Sequence, residues 1–395
     1  MKSDWRITSL GEICSISSSK RIFAKEYQTS GVPFYRGKEV IERHNGNAIS
    51  TELFISPERY LAIKTKFGVP QLGDILLTSV GTLGIPWMVD NTEFYFKDGN
   101  ITWIRACKDV YSEYLYLWLN SNEAKTQIDT MCIGSTQKAL TIETLNKFSI
   151  ALPSIEEQKR ICNTIYPIIE KIKTNIKIRN NLKQQIRILY RSYFPYSVGD
   201  ELPLGWSVKC LSEVTVPIKT KVHNKNYVVF SAVSSGQLQL SEDYFTKKVY
   251  SKSIDNYITV EPFDFAYNPS RINIGSIGMN DFGYTGCVSP VYVVFRAESN
   301  YHNFVNCFTK SLRFREEVKL RASGSVRQSL NYNDLGQIKI VYPPFEQVEK
   351  FNHEYATRLK LIEHYRSEIC KLETIRDTLL PKLMSGELDV SGIQL

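Results

Sequence analysis

The sequence states one pattern twice. LPSIEEQKRI begins at Leu152 and YPPFEQVEKF at Tyr342, 190 residues later. Each stretch has a proline turn, acidic residues and then a long helical pattern. The opening of the pattern also recurs, as W-x4-L-x-E-[IV]: Trp5, Leu10, Glu12 and Ile13, then Trp206, Leu211, Glu213 and Val214. Late in each copy, GSTQKAL (134–140) answers GSVRQSL (324–330), followed by Leu145 and Leu335, Ile150 and Ile340, Pro153 and Pro343. The offset is 201 at the start and 190 at the end, so the first copy carries about eleven extra residues in its middle. Loops tolerate such insertions far better than packed elements do. A chain built this way is expected to fold as two similar units.

After each proline turn the apolar residues fall into heptads. In the first helix the d-type positions are Ile161, Ile168, Asn175, Leu182 and Leu189, and the a-type positions Ile165, Ile172, Arg179 and Ile186. In the second they are Phe351, Arg358, Tyr365, Leu372 and Leu379, with Tyr355, Ile362, Ile369 and Arg376. Spacings of three and four draw one stripe along a helix, and a stripe kept over four heptads suits a coiled-coil seam. Each helix is expected to run about 34 residues, roughly 50 Å at 1.5 Å per residue. Two arrangements satisfy the stripes: each helix packs on its own globule, or the two pair. Pairing is favoured by charge, since residues 153–199 sum to +6 and residues 344–395 to −2.

Between these helices the pattern is mixed. VPFYRG, DILLTSV, ITWIRA, YVVFSAV and VYVVFRA read as strands, rich in β-branched and aromatic residues. YSEYLYLWLNSNEAKTQI and FVNCFTKSLRFREEVKL read as helical. The expected class is α+β. The boundaries fall at 1–152 for the first globule, 153–199 for its helix, 200–343 for the second globule, and 344–395 for the second helix and tail. Apolar runs are too short for a membrane span, and MKSDWRITSL has no apolar core of a secretion signal. The eight cysteines form no CxxC pair. They are read as reduced thiols of a cytoplasmic protein. The five scattered histidines give no metal-ligand spacing.

The order globule–helix–globule–helix resembles the specificity subunit of type I restriction–modification systems. The residues that carry the likeness are GDILLTSVGTLG (73–84), GSTQKALTIETL, LPSIEEQKRI, the LPLGW that opens the second copy at Leu202, and the LLPKLMSGELDV ending. The resemblance implies two target recognition domains, each reading half of a split DNA site, joined by two long helices in an antiparallel coiled coil with a pseudo-twofold repeat. It implies two docked modification subunits, which carry adenine methylation and S-adenosylmethionine. Restriction subunits, with ATP and magnesium, then cleave. A rod of roughly 50 Å suits two readers about one DNA turn apart. The alternatives are an S-like reader serving a related defence system, or a self-contained methyltransferase or nuclease. The chain departs from the pattern in two places: EPFDFAYNPSRINIGSIG stands where a second GDILL stretch belongs, and Val348 replaces the counterpart of Gln158.

No catalytic or cofactor site is expected in this chain. YPPF at 342–345 resembles the amino-methyltransferase motif but leads with Tyr342 where Asn or Asp must hold the target amine. GVPFYRGKEV is one residue too long for a P-loop and has Glu39 where a hydroxyl must meet magnesium. DNA contacts call for Lys, Arg, hydroxyls and amides. In the first globule the candidates are Lys20, Arg21, Arg36, Lys38, Arg43, Thr78, Ser79 and Thr82, with Ser135, Thr136, Gln137 and Lys138 of the GSTQKAL stretch. In the second they are Lys219, Lys221, Asn268, Arg271 and Asn273, with Ser325, Arg327 and Gln328. The expected helix interface comprises Ile161, Ile165, Ile168, Ile172, Leu182, Ile186 and Leu189 against Phe351, Tyr355, Ile362, Tyr365, Ile369, Leu372 and Leu379.

Overall fold

The computed structural model describes residues 5–47, 49–106, 109–131, 139–223, 226–244, 253–322 and 329–393. The contacts divide the chain into two units, residues 1–177 with 365–395, and residues 178–364. Each unit holds one globule, the first part of one long helix and the last part of the other.

In the first unit, β1 (Arg6–Ser9) opens the fold, followed by β2 (Cys14–Ser17), β3 (Ile75–Thr78), β4 (Pro86–Met88), β5 (Ile101–Ala106) and β6 (Ser149–Leu152). The central antiparallel sheet has the order β2-β5-β3-β4. β1 pairs antiparallel with β6, Arg6 opposite Leu152 and Ser9 opposite Ser149, which ties the start of the globule to the strand that feeds the long helix. The recurrent L-x-E-[IV] is the short helix Leu10–Ile13 between β1 and β2. Leu10 and Ile13 are buried, the Leu10 N–H donates to Phe148 O (2.8 Å), and the Ser9 N–H donates to Glu12.

The second unit repeats this with β7 (Ser207–Cys210), β8 (Thr215–Ile218), β9 (Phe265–Tyr267), β10 (Ile277–Met279), β11 (Val293–Ala297) and β12 (Lys339–Tyr342). Its sheet order, β8-β11-β9-β10, matches the first, and β7 pairs with β12 as β1 does with β6. Leu211 N–H donates to Ile338 O (3.0 Å), and the Cys210 N–H to Glu213. The segment EPFDFAYNPSR therefore supplies the counterpart of β3, flanked by the same two strands, although its sequence departs from GDILLTS. At the turn into that strand, Gly73 has φ 87°, whereas its counterpart Phe263 has φ 69°. A bulky residue in the left-handed region is strained. Here its ring stacks on His302 at 4.2 Å, which offsets part of that cost.

Each stretch read as one helix is two. Ser112–Leu119 is followed by Asn122–Met131, and His302–Thr309 by Leu312–Arg321. The break lies at Ser121 and Ser311, whose hydroxyls accept from Ala124 N–H (3.3 Å) and Phe314 N–H (3.1 Å). Serine at these places caps a new helix instead of continuing the old one.

The long helices span Ile155–Tyr193 and Phe345–Met384, 39 and 40 residues. In the first unit, Ile161, Cys162 and Ile165 pack into the globule core with Trp118 and Phe148, and so do Leu380, Leu383 and Met384 from the end of the second helix. Burying those last three contributes roughly 5–9 kcal/mol as an upper bound. Lys171 faces Glu368 at 3.6 Å. In the second unit, Val348, Phe351 and Tyr355 from the start of the second helix pack with Leu189 and Phe194. There Gln347 Nε2 donates to Tyr193 O (3.0 Å), and Tyr193 donates to Glu354 (2.7 Å). Both sets of partners run in opposite directions, so the pair is antiparallel. Ile161, Ile165, Ile172, Leu182, Leu189, Phe351, Tyr355, Ile362 and Ile369 are buried, while Ile168, Ile186, Tyr365, Leu372 and Leu379 are half-buried.

Gln158 explains a departure between the copies. It is fully buried; its Oε1 accepts Tyr111 N–H (2.8 Å), and its Nε2 donates to Asp109 O (3.0 Å) and Pro153 O (2.9 Å). In the second unit the counterpart carbonyl, Pro343 O, accepts from the Tyr301 hydroxyl (3.1 Å) instead. Val348 then needs no polar group and is buried as a hydrophobe.

Candidate nucleic-acid interface

The registers place several loops at one end of each sheet. In the first unit Ser17 lies opposite Trp103 and Thr78 opposite Ile101. The chain after β2, before β5 and after β3 therefore emerges on one side. Hydrogen bonds tie these segments together: Ser79 N–H to Asn100 O (2.8 Å), Gly99 N–H to Ser18 Oγ (3.4 Å), and Arg21 Nε to Asp98 (2.8 Å). The helix Gly37–His44 starts beside them, where a Cβ on Gly37 would lie 3.9 Å from the Thr78 methyl. The β3–β4 loop turns at Gly81 and Gly84, with φ 82° and 73°. A side chain at Gly84 would also collide with Ile128 Cδ1. Both features require glycine.

The second unit gathers the equivalent segments. Ile218 lies opposite Val294, and Tyr267 opposite both Val293 and Ile277. Residues 219–221 and 268–276 leave the sheet on one side. Asn268 Oδ1 accepts Ser270 N–H (3.0 Å), which fixes the turn. A loop bond recurs in both units at the 190-residue offset: Leu140 N–H donates to Ser79 O (3.0 Å), and Leu330 N–H to Pro269 O (3.1 Å). The ends of the GSTQKAL and GSVRQSL stretches are thus held against the loop after the central strand in each unit.

Lys20, Arg21, Lys38, Thr82, Lys219, Lys221 and Arg271 are exposed, and Arg36, Asn268 and Asn273 half-buried. Lys38 lies 3.8 Å from Glu42, and Lys221 donates to Asn256 (3.2 Å). Arg36 pairs with buried Glu39 at 2.9 Å, and that hydrogen bond raises the guanidinium pKa further above its usual value. Three candidates change role. Thr78 and Ser79 are buried: Thr78 Oγ1 accepts Ile85 N–H (2.9 Å), and Ser79 Oγ shares a hydrogen bond with Thr102 Oγ1 (2.6 Å). They shape the loop and present no group to a ligand. Arg43 donates to Tyr35 (3.1 Å) and Thr92 (3.0 Å) and lies 5.5 Å over the Trp87 ring, so it braces the globule. Ser135, Thr136, Gln137, Lys138, Ser325, Arg327 and Gln328 lie outside the described residues. The 98–100 turn, not among the sequence candidates, acts through the Asn100 carbonyl, the Gly99 N–H and the Asp98 carboxylate, and the two backbone groups leave no trace in residue type.

Tyr342, of the YPPF stretch, is buried and stacks on Tyr301 at 4.3 Å, with its hydroxyl donating to Glu298. It packs the lead-in to the second long helix. Among the described residues no group of three His, Cys, Asp or Glu side chains could hold a metal ion, and no helix is long and apolar enough to cross a membrane.

Two copies of one sheet, each presenting linked loops and packed on antiparallel segments of the long helices, make a duplicated fold. Residues 2–184 match the family described as the type I restriction modification DNA specificity domain. The chain is 26% identical to the type I restriction enzyme MjaIX specificity subunit of Methanocaldococcus jannaschii, over 99% of this chain and 95% of that one. It is 29% identical to the HindI specificity subunit of Haemophilus influenzae, over 49% and 41% of the two chains. The crystal structure of the type I restriction–modification S subunit from M. genitalium shares the fold, with a TM-score of 0.59 at 13% identity over 97% of each chain. Residues 2–184 thus match the specificity-domain family, and the chain is similar along almost its whole length to a type I restriction enzyme specificity subunit. The relatives it matches are named as specificity subunits.

Proposed function

We propose that each unit reads one half of a bipartite DNA site through the loops at its sheet end, and that the chain docks two modification subunits and, through them, restriction subunits. The observation that carries this is the duplicated loop bond, Leu140 to Ser79 and Leu330 to Pro269. A reader of a split site needs two versions of one interface whose exposed residues differ. Here Thr82 stands in one loop, and Asn268 and Arg271 in the other. Exposed cations supply phosphate contacts, and amide and guanidinium groups read base edges. Methyl transfer, with S-adenosylmethionine, and cleavage, with ATP and magnesium, reside on the partner subunits. The assembly works in the cytoplasm. The long helices set the spacing between half-sites.

The test uses the chain assembled with its cognate modification subunits. Thr82→Asp in the first unit and Arg271→Glu in the second each place negative charge where DNA passes. Each variant is expected to lower methylation of the cognate site by at least about tenfold, through lost and repelled phosphate contacts. Unimpaired methylation by both variants would contradict the interface.

A further inference from the structure

Phe67 is the last residue of the helix Pro57–Phe67, and its ring is 46% exposed. Two ammonium groups lie close to that ring. Lys20 Nζ lies 4.7 Å and Lys66 Nζ 5.3 Å from its centroid. Both lysines are exposed, and neither has a carboxylate partner among the described residues. The contrast with Lys64 on the same helix is direct: Lys64 lies over the Tyr60 ring at 5.6 Å and reaches Glu93 at 3.9 Å. The two lysines at Phe67 come from different segments. Lys66 is in the last helical turn, while Lys20 lies in the loop after β2, at the interface end of the sheet. Lys20 is held in place there, since its N–H donates to the buried Tyr95 hydroxyl (2.7 Å) and its carbonyl accepts from the same group (3.3 Å).

We infer that Phe67, Lys20 and Lys66 form a further DNA-contact lip in the first unit, the ring packing on the sugar edge of the duplex and the two lysines meeting flanking phosphates. This rests on the reading of the sheet end as the DNA interface, with which Lys20 is continuous. A half-exposed ring with two unpaired cations beside it fits a partner that is apolar at the ring and anionic close by. A deoxyribose between successive phosphates has that pattern. An aromatic contact of this kind tolerates any sequence, because it reads no base edge. The lip therefore adds affinity to one half-site without adding specificity.

The experiment measures DNA affinity of the complete complex with modification subunits across a salt series. Lys20→Ala/Lys66→Ala is expected to reduce the slope of log affinity against log salt by about 1.8, two phosphates at roughly 0.9 each. Phe67→Ala is expected to lower affinity several-fold, about equally for cognate and non-cognate duplexes, with the slope unchanged. If these variants bind DNA normally while Thr82→Asp and Arg271→Glu do not, the interface stands and the lip is wrong. If all bind normally, the interface reading fails and takes the lip with it. Loss of complex assembly with an unchanged slope would mark Phe67 as a protein contact and overturn the inference. Thermal unfolding should not change for the two lysine substitutions, whose side chains are exposed, and should fall only slightly for Phe67→Ala, whose ring is about half covered.

Discussion

Replacing Asn175 with leucine should make the protein more stable. Asn175 sits in the seam of the first long helix, in the unit where Ile172 and Ile369 are buried on the facing stripes. It is fully buried, and among the described residues neither its amide nitrogen nor its amide oxygen has a hydrogen-bond partner. A buried polar group without a partner costs about 1–3 kcal/mol. Leucine has the same number of side-chain heavy atoms and the same branch point, so overpacking adds little. Allowing for local relaxation, the net gain is about 1–2 kcal/mol. For a unit of this size it corresponds to roughly 2–8 °C in melting temperature. The assay is thermal unfolding followed by circular dichroism, with attention to the transition that contains the first unit, since two units can melt separately. A fall in that melting temperature would refute the reasoning, because it would mean that the amide has a partner worth keeping. Seam asparagines elsewhere lower stability while restricting which helices pair. Asn175→Leu should accordingly also increase self-association in size-exclusion chromatography.

Other outcomes follow from single contacts. Gln158→Leu leaves Tyr111 N–H and the Asp109 and Pro153 carbonyls without their partner, and should cost about 2–4 kcal/mol in denaturant unfolding. Val348→Gln should also destabilise, because Tyr301 already serves the Pro343 carbonyl and the new amide would be buried unpaired. Burial holds the pKa of His44 and of His302 below the usual 6.5, although the Pro86 carbonyl opposes this at His44. The unfolded chain then binds more protons in acid, so this contribution is complete above about pH 6.5 and is lost as pH falls through the folded pKa values. A His44→Gln/His302→Gln variant should show a flatter decline in denaturation midpoint between neutral and mildly acid pH. Inserting four residues near Asn180 adds roughly 6 Å of helix and should lengthen the methylated site's spacer by one or two base pairs. An unchanged spacer in methylome sequencing would show that the helix is not the ruler.

The duplication was legible because its two ends are built from apolar and capping residues with fixed spacing. Leu10, Glu12 and Ile13 recur as Leu211, Glu213 and Val214 because the same short helix must be capped and buried twice. The heptads were legible for the same reason, down to Asn175 in a d-type position. The equivalence of GDILLTS and FDFAYNPS was not. A sheet position is defined by its neighbours, and those strands come from distant parts of the chain. The break within each helical stretch was hidden in single serines whose capping role depends on where the next turn packs. At the candidate interface, residue type marked Lys20, Thr82 and Arg271, but gave no hint that Thr78 and Ser79 are buried or that Arg43 bonds to Tyr35 and Thr92. Burial and partners decide that, and neither is written in composition.

The central claim is that two similar units read two half-sites independently. It is tested most directly by exchanging residues 200–343 for the matching segment of a type I specificity subunit. The chimera is expressed with the modification subunit, and every methylated adenine in the genome is mapped. The account predicts a bipartite motif in which one half is unchanged and the other is replaced. A motif altered in both halves, or in neither, would contradict it.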